Sequence, residues 1–94
     1  MMIAADPMTL ENGCLEVVRG EHEKGTFPMK PTDGSMTDDV VSKMKWDPVV
    51  TKAGAVMIFS SYIPHRSGPN ISKNPRRAYY LTFNGEFILL PACF

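Results

Sequence analysis

The sequence predicts an all-β fold that contains one short helix at most. Its eight prolines and seven glycines are scattered as turn residues between short runs of β-branched and aromatic side chains. The run at 76–83 has one mostly polar and one mostly apolar set of alternating positions, which is the two-residue period of a strand. The 94 residues contain no internal repeat or low-complexity tract, so we expect one small domain.

Two strands are predicted near the start of the chain. The first covers residues 1–5 and should end before Pro7, because proline lacks the N–H group that a β-ladder needs. Asn12 and Gly13 predict a tight turn, since both residue types tolerate positive φ. The β-rich run at 14–18 then predicts the second strand.

The middle of the chain predicts a loop followed by a short helix. Residues 20–31 contain two glycines and two prolines, so we expect them to cross the surface as a loop. His22 lies in this loop, where a histidine usually makes local hydrogen bonds. At 37–45 the acidic residues come early and the lysines late, the order that suits the dipole of a one- or two-turn helix.

The second half of the chain predicts three further strands. Residues 49–51 are expected to form a short one, and the fully apolar run at 55–59 predicts a strand buried on both faces. A rigid connection that begins at Pro64 should lead to the last strand, 76–83. We expect its even-numbered face, which includes Arg76, to line a pocket, and its odd-numbered face to pack outward against other elements.

Charge and hydropathy argue against several classes of partner. Ten basic residues balance ten acidic ones, so no long-range field favours nucleic acid, an anionic membrane or an acidic partner. The basic residues between 66 and 77, with Tyr79 and Tyr80 for base stacking, allow a second interpretation as a nucleic-acid patch, but net neutrality opposes it. No segment approaches the roughly 20 apolar residues that span a bilayer, so we expect no membrane partner.

The cysteines and the N-terminus indicate the compartment. Cys14 and Cys93 lie far apart in sequence and lack the C-x-x-C spacing of a zinc or redox site. Residues 1–6 lack the basic segment and apolar run of a secretory signal. We therefore expect reduced thiols in a cytoplasmic protein.

Two side chains are the candidates for chemistry. His65 follows the predicted buried strand, and Arg76 opens the next strand eleven residues later, so folding the connection should bring both to one end. A neutral imidazole is a common iron ligand, and a guanidinium binds a carboxylate through two parallel hydrogen bonds. Together they suit a metal that also binds a keto acid. Without the other, His65 would more often be a packed or loop histidine, and Arg76 would more often be a solvated charge.

Several motifs occur in a fixed order and spacing along the chain. They are Glu11–Val18 (ENGCLEVV), Gly20–His22 (GEH), Pro64–Asn70 (PHRSGPN) and Arg76–Ala78 (RRA). From about Ile3 to Asn84 the sequence resembles the phytanoyl-CoA dioxygenase family. The resemblance implies an Fe(II)- and 2-oxoglutarate-dependent oxygenase on a double-stranded β-helix, or jelly roll, and we expect part of that fold here.

The resemblance implies roles for three residues. His65 matches the distal iron-ligating histidine, Arg76 matches the arginine that binds the far carboxylate of 2-oxoglutarate, and Ser67 is expected to assist that co-substrate. The family's other two iron ligands form a His-x-Asp pair that would lie upstream of Met1. The segment 22–24 cannot replace them, because a lysine occupies the acidic position. We therefore expect that this chain alone binds the cofactors poorly and does not turn over.

Two regions depart from the family's pattern. Ala55 stands where an acidic residue usually follows the turn glycine. Residues 85–94 are apolar and unlike the polar, aromatic-rich ending of the family, so we interpret 1–84 as the C-terminal part of an oxygenase domain and 85–94 as a divergent tail. A truncated isoform, a gene fragment and an incomplete gene model all fit. In each case we expect exposed strand edges to favour self-association.

The expected function, by resemblance, is the hydroxylation of a small organic or acyl substrate coupled to decarboxylation of 2-oxoglutarate. An alternative from another class is a non-catalytic β-sandwich module that binds a partner. A His-x-Asp pair encoded in frame upstream would favour the oxygenase. Succinate formation by the chain alone would contradict the expectation that its metal site is incomplete.

Overall fold

In a computed structural model, residues 1–85 are described and form two three-stranded antiparallel sheets with a hydrophobic core between them. The strands are Met2–Ala4 (β1), Leu15–Val17 (β2), Asp47–Pro48 (β3), Val56–Met57 (β4), His65–Ser67 (β5) and Ala78–Tyr80 (β6). The sheets have the strand orders β4-β1-β6 and β3-β2-β5. This arrangement confirms the all-β prediction and is consistent with part of a double-stranded β-helix. The predicted tail at 85–94 lies almost entirely outside the described residues.

The central strands β1 and β2 contribute most of the core. One buried cluster contains Met2, Leu15 and Val17, and a second contains Ala4, Met8 and Cys14. Along each strand the buried residues alternate with a less buried one, as the two-residue period requires. The strands predicted at 1–5 and 14–18 are therefore confirmed, each one residue shorter at both ends.

The predicted short helix is also present. It spans Asp38–Lys43 (α1), inside the range 37–45, with two acidic residues in its first turn and a lysine in its last. The indole N–H of Trp46 donates to the carbonyl of Val41 at 3.1 Å and satisfies one of the acceptors that a helix end leaves open. None of the helices within residues 1–85 has the length and apolar character needed to cross a membrane.

Two strand predictions in the second half are wrong in extent or burial. In place of a strand at 49–51, β3 lies slightly earlier, and Thr51 forms only an isolated bridge with Met8. The strand predicted at 55–59 is reduced to β4, and the neighbouring Ile58 is 80% exposed. Since β4 is an edge strand and no described element covers its outer face, the predicted burial on both faces does not occur.

The connection before the last strand also differs from the prediction. Residues 65–67 form β5 rather than a loop, because their backbone pairs with β2. The strand predicted at 76–83 is limited to β6. Its odd-numbered face does not pack against other elements, and Tyr79 is 67% exposed. On the even-numbered face, which is expected to line a pocket, Tyr80 is also 58% exposed and only Arg76 and Ala78 are half-buried.

Gly13 joins two motifs that lie far apart in sequence. Its φ is +76°, a conformation that favours glycine. A Cβ atom at this position would overlap the carbonyl oxygen of Gly68 and lie 2.8 Å from that of Pro69. The adjacent Asn12 is buried, and its side-chain oxygen accepts a hydrogen bond from the N–H of Thr9 at 2.8 Å. The turn at 12–13 therefore fixes the backbone that follows β5.

We expect Gly13→Ala to destabilise the 94-residue chain more than Gly34→Ala. Both glycines have positive φ, which costs about 1–2 kcal/mol for other residues. Only Gly13 is also in close backbone contact, while a Cβ on Gly34 meets nothing within 4 Å. The steric overlap should add about 1–3 kcal/mol. Chemical denaturation measures both free energies of unfolding, and equal losses would contradict the contact.

Candidate functional site

The pairing of β2 with β5 determines which way His65 points. Val17 lies opposite His65, and Leu15 lies opposite Ser67. Directly opposed residues in an antiparallel pair project from the same face of the sheet. Because Leu15 and Val17 belong to the core, His65 and Ser67 also lie on the inner face, toward the second sheet.

Arg66, between these two residues, occupies the outer face of the same strand. Its Nε donates to Glu16 Oε2 at 2.7 Å, and its guanidinium lies 4.3 Å from the centre of the Trp46 ring. An ion pair and a cation–π contact therefore act on one side chain. Both favour the observed register, and a slip of one residue would turn His65 to the outer face.

Arg76 lies on the inner face of the other sheet. Ala78 is paired with Ala4 and packs against both buried clusters, so it points inward. Arg76 precedes it by two residues and shares its face by strand alternation. Burial raises the pKa of the Cys14 thiol, and the positive charge of Arg76 opposes this rise, which agrees with a guanidinium near the second cluster.

The Arg76 side chain is half-buried, and its Nε is fully buried with no hydrogen-bond partner within residues 1–85. A buried donor without a partner is costly, and a ligand that accepts a hydrogen bond from this Nε would remove that cost. By register and alternation the two candidate residues lie on facing sides of the two sheets, with His65 exposed and Arg76 half-buried. Their roles in binding iron and 2-oxoglutarate stay predictions.

The ring of His65 is oriented by its neighbours. Its Nδ1 lies 2.9 Å from the carbonyl oxygen of Ile63, and its ring centre is 5.8 Å from that of Phe59. A carbonyl can only accept, so the proton is on Nδ1 and the Nε2 lone pair is left for another partner. Metal-binding histidines are commonly held by this kind of hydrogen bond.

His65 also lines a groove of about 660 Å³ that the sequence did not predict. Its walls come from the loop at 25–36, from α1 with Trp46, and from residues 61–66. The volume falls within the range of small-molecule pockets, about 300–1,000 Å³. The sequence feature that could have indicated this groove is the presence of Phe27 and Met29, two large apolar side chains, in a segment otherwise typical of a surface loop.

The residues present fit a bound keto acid better than a complete metal site. Within residues 1–85, no three His, Cys, Asp or Glu side chains are grouped to hold a metal ion. His65 therefore offers one ligand, with its free Nε2. Arg76 offers a partly unpaired guanidinium on the inner face, which suits a carboxylate. Ser67 shares the face of His65 and is exposed.

Arg77 is exposed but bound to Asp6. The Asp6 carboxylate accepts hydrogen bonds from the backbone N–H of Arg77 at 2.8 Å, from its Nε at 2.8 Å and from its Nη2 at 3.0 Å. In return, the carbonyl of Arg77 accepts from the N–H of Ala5 at 3.0 Å. These bonds lower the pKa of Asp6, with the Arg77 side chain as the largest cause.

Comparison with known proteins decides the family. Residues 1–78 match the family model described as phytanoyl-CoA dioxygenase (PhyH). The chain belongs to the phytanoyl-CoA dioxygenase family. The resemblance found in the motifs around His65 and Arg76 is thereby confirmed. No solved structure gives a significant match.

Curated relatives are named as dioxygenases or hydroxylases. The 2-aminoethylphosphonate dioxygenase of an uncultured bacterium, HF130_AEPn_1, is 38% identical over 84 residues, or 89% of this chain and 32% of that protein. The methylphosphonate hydroxylase of Gimesia maris is 39% identical over 82 residues, or 87% and 31%. Dioxygenase lolE1 of Epichloe uncinata is 36% identical over 84 residues, or 89% and 32%. The chain thus spans about a third of their length.

We expect the neutral form of His65 to carry its proton on Nδ1. The Ile63 carbonyl selects this tautomer, whereas His22, which is also exposed, makes no such bond within residues 1–85 and should favour the Nε2–H form common in solution. Two-bond ¹H–¹⁵N NMR spectra, recorded in alkaline buffer, distinguish the tautomers. An Nε2–H form at His65 would contradict the proposed orientation.

We expect the destabilising effect of Asp6→Asn to disappear in acid. Because the pKa of Asp6 is lowered below its ordinary value of 3.8, its contribution is present above that value and is lost as pH falls through the lower folded pKa. The free energies of unfolding of the original and substituted chains should therefore converge once the pH falls below the lowered folded-state pKa of Asp6. Denaturation at a series of pH values measures the gap, and a constant gap would refute the linkage.

Proposed function

We propose that this chain forms the part of an Fe(II)- and 2-oxoglutarate-dependent dioxygenase that supplies one iron ligand and the keto-acid anchor. Family membership and the names of the relatives support the reaction class. The observation that carries the assignment of residues is the placement of His65 and Arg76 on the inner faces of two facing sheets. When bound, iron and 2-oxoglutarate supply oxygen activation and the oxidising power for hydroxylation.

The proposed role of His65 is to hold iron through Nε2. Its Nδ1–H donates to Ile63, which keeps the ring from turning and preserves the lone pair on the other nitrogen. Phe59 packs against the ring and limits its motion further. One imidazole does not give a stable iron site, so the remaining ligands must come from outside residues 1–85.

The proposed role of Arg76 is to bind the carboxylate of 2-oxoglutarate that lies far from the metal. Its guanidinium is planar and offers paired donors, which match a carboxylate through two parallel bonds. The buried, unpartnered Nε is the group that such a ligand would satisfy. Ser67 lies on the inner face with His65 and is proposed to add a hydroxyl contact to the same co-substrate.

The proposed substrate is a small organic molecule, and small phosphonates are the first to test. Two relatives carry phosphonates in their names. The groove beside His65 is large enough for such a substrate, and Lys30 and Arg66 contribute cationic side chains to its walls. Both cations are paired with carboxylates of the chain, Lys30 with Asp38 at 2.7 Å.

The test is a chimera in which this chain replaces the aligned segment of 2-aminoethylphosphonate dioxygenase. With Fe(II), 2-oxoglutarate, oxygen and 2-aminoethylphosphonate, we expect succinate formation. His65→Ala should abolish it, because the iron loses a ligand. Arg76→Ala should raise the KM for 2-oxoglutarate at least about tenfold, since truncating a buried charge pair costs about 2–5 kcal/mol.

His22→Ala is the matched control, because His22 is exposed on the short helical turn at 21–24 and belongs to no part of the proposed site. It should leave succinate formation unchanged. An active chimera that tolerates His65→Ala would refute the iron role. The same measurement on the 94-residue chain alone should give no turnover, and clear succinate formation there would refute the incomplete metal site.

A further inference from the structure

Arg76 lies beyond the end of the strand whose face it shares. The ladder between β1 and β6 ends at the pair Ala4 and Ala78. An arginine at a strand end loses side-chain entropy on ordering, so it normally extends into water. Arg76 is nevertheless half-buried, with a fully buried Nε. Something other than the ladder must hold this part of the backbone.

The neighbouring bonds of Asp6 supply that restraint. Its carboxylate receives three hydrogen bonds from Arg77, one from the backbone and two from the guanidinium, all between 2.8 and 3.0 Å. The Asp6 side chain is only 13% exposed, which strengthens these bonds relative to those in open water. They join residues 71 positions apart in sequence. They fix the peptide that directly follows Arg76.

The loop that carries Asp6 is itself fixed from the interior. The side-chain N–H of buried Asn12 donates to the carbonyl of Pro7 at 2.7 Å. The backbone N–H groups of Ala5 and Asp6 donate to the carbonyl of Arg77 at 3.0 and 3.3 Å. The Asp6 carboxylate therefore belongs to a loop that hydrogen bonds hold in place, and its bonds to Arg77 extend the β1–β6 pairing past Ala78.

We propose that Asp6 is a positioning residue for Arg76: by clamping Arg77, it turns the Arg76 guanidinium inward, where it can receive a dicarboxylate. The proposal rests on the proposed function of Arg76. Strand alternation explains the geometry, since a backbone fixed with Arg77 outward must place Arg76 inward. Without the clamp, the strand end can fray and Arg76 can turn to solvent. Asp6 touches neither co-substrate nor metal in this scheme.

The first test follows the Nε–H proton of Arg76 in the 94-residue chain by NMR, without any ligand. We expect slow exchange with water in the original chain and, in Asp6→Asn, exchange as fast as that of Arg19, whose side chain is 82% exposed. Asp6→Glu, which keeps a carboxylate, should restore slow exchange. Fast exchange in the original chain, or slow exchange in Asp6→Asn, would overturn the proposal.

The second test measures 2-oxoglutarate binding to the chimera by calorimetry, together with kcat and KM. Asp6→Asn should raise the dissociation constant and the KM for 2-oxoglutarate about tenfold, while kcat and the KM for the phosphonate change less than about twofold. A general loss of stability would not raise the KM for 2-oxoglutarate while leaving kcat and the KM for the phosphonate nearly unchanged. Arg77→Gln removes only the side-chain bonds to Asp6, so it should give a smaller rise in the dissociation constant. It replaces Asp6→Asn as the test if that variant does not fold.

Asp47→Asn is the matched control, because it breaks the surface ion pair between Asp47 and Arg19, 3.4 Å apart, away from Arg76. It should leave the dissociation constant unchanged. If Arg76→Ala weakens 2-oxoglutarate binding but neither Asp6→Asn nor Arg77→Gln does, the positioning role fails and the proposed function stands. If Arg76→Ala also has no effect, both proposals fail.

Discussion

The antiparallel pairing of β2 with β5 is the constraint on which the candidate site depends. Leu15 and Val17 are buried, and their direct partners Ser67 and His65 must therefore project toward the same interior. The burial of Leu15 and Val17 therefore determines the orientation of the His65 imidazole, because the register places these residues on the same face. On the outer face, the bond of Arg66 to Glu16 favours the same alignment.

Each sheet is arranged around a strand from the first part of the chain. β1 and β2 occupy the central positions, while the flanking strands come from later segments. Apart from Pro64, the buried apolar side chains found within residues 1–85 lie between Met2 and Val18. A site assembled from His65 and Arg76 is therefore supported by a core to which its own segments contribute few fully buried groups. At this chain length a small core gives modest stability.

The sequence predicted those parts of the fold that depend on local pattern. The strands near 1–5 and 14–18 follow from alternation and from turn residues. The same alternation predicts the inward direction of Arg76, whose role in the site stays a prediction. β5 could not be predicted, because a polar segment before a Gly-Pro pair becomes a strand only through distant pairing with β2. The prediction of a buried strand at 55–59 was wrong for the opposite reason. The apolar composition of this run indicates burial, but within residues 1–85 no element covers Ile58.

The separation of Asp6 from Arg77 has a consequence for how the protein is made. In the sheet β4-β1-β6, β1 pairs with β6, and the residue nearest in sequence to its partner, Ala4, pairs with Ala78, 74 positions later. Such distant pairings slow folding, since a long loop must close before they form. Because synthesis proceeds from the N- to the C-terminal side, β1 leaves the ribosome before β4 and β6, the two strands that pair with its edges.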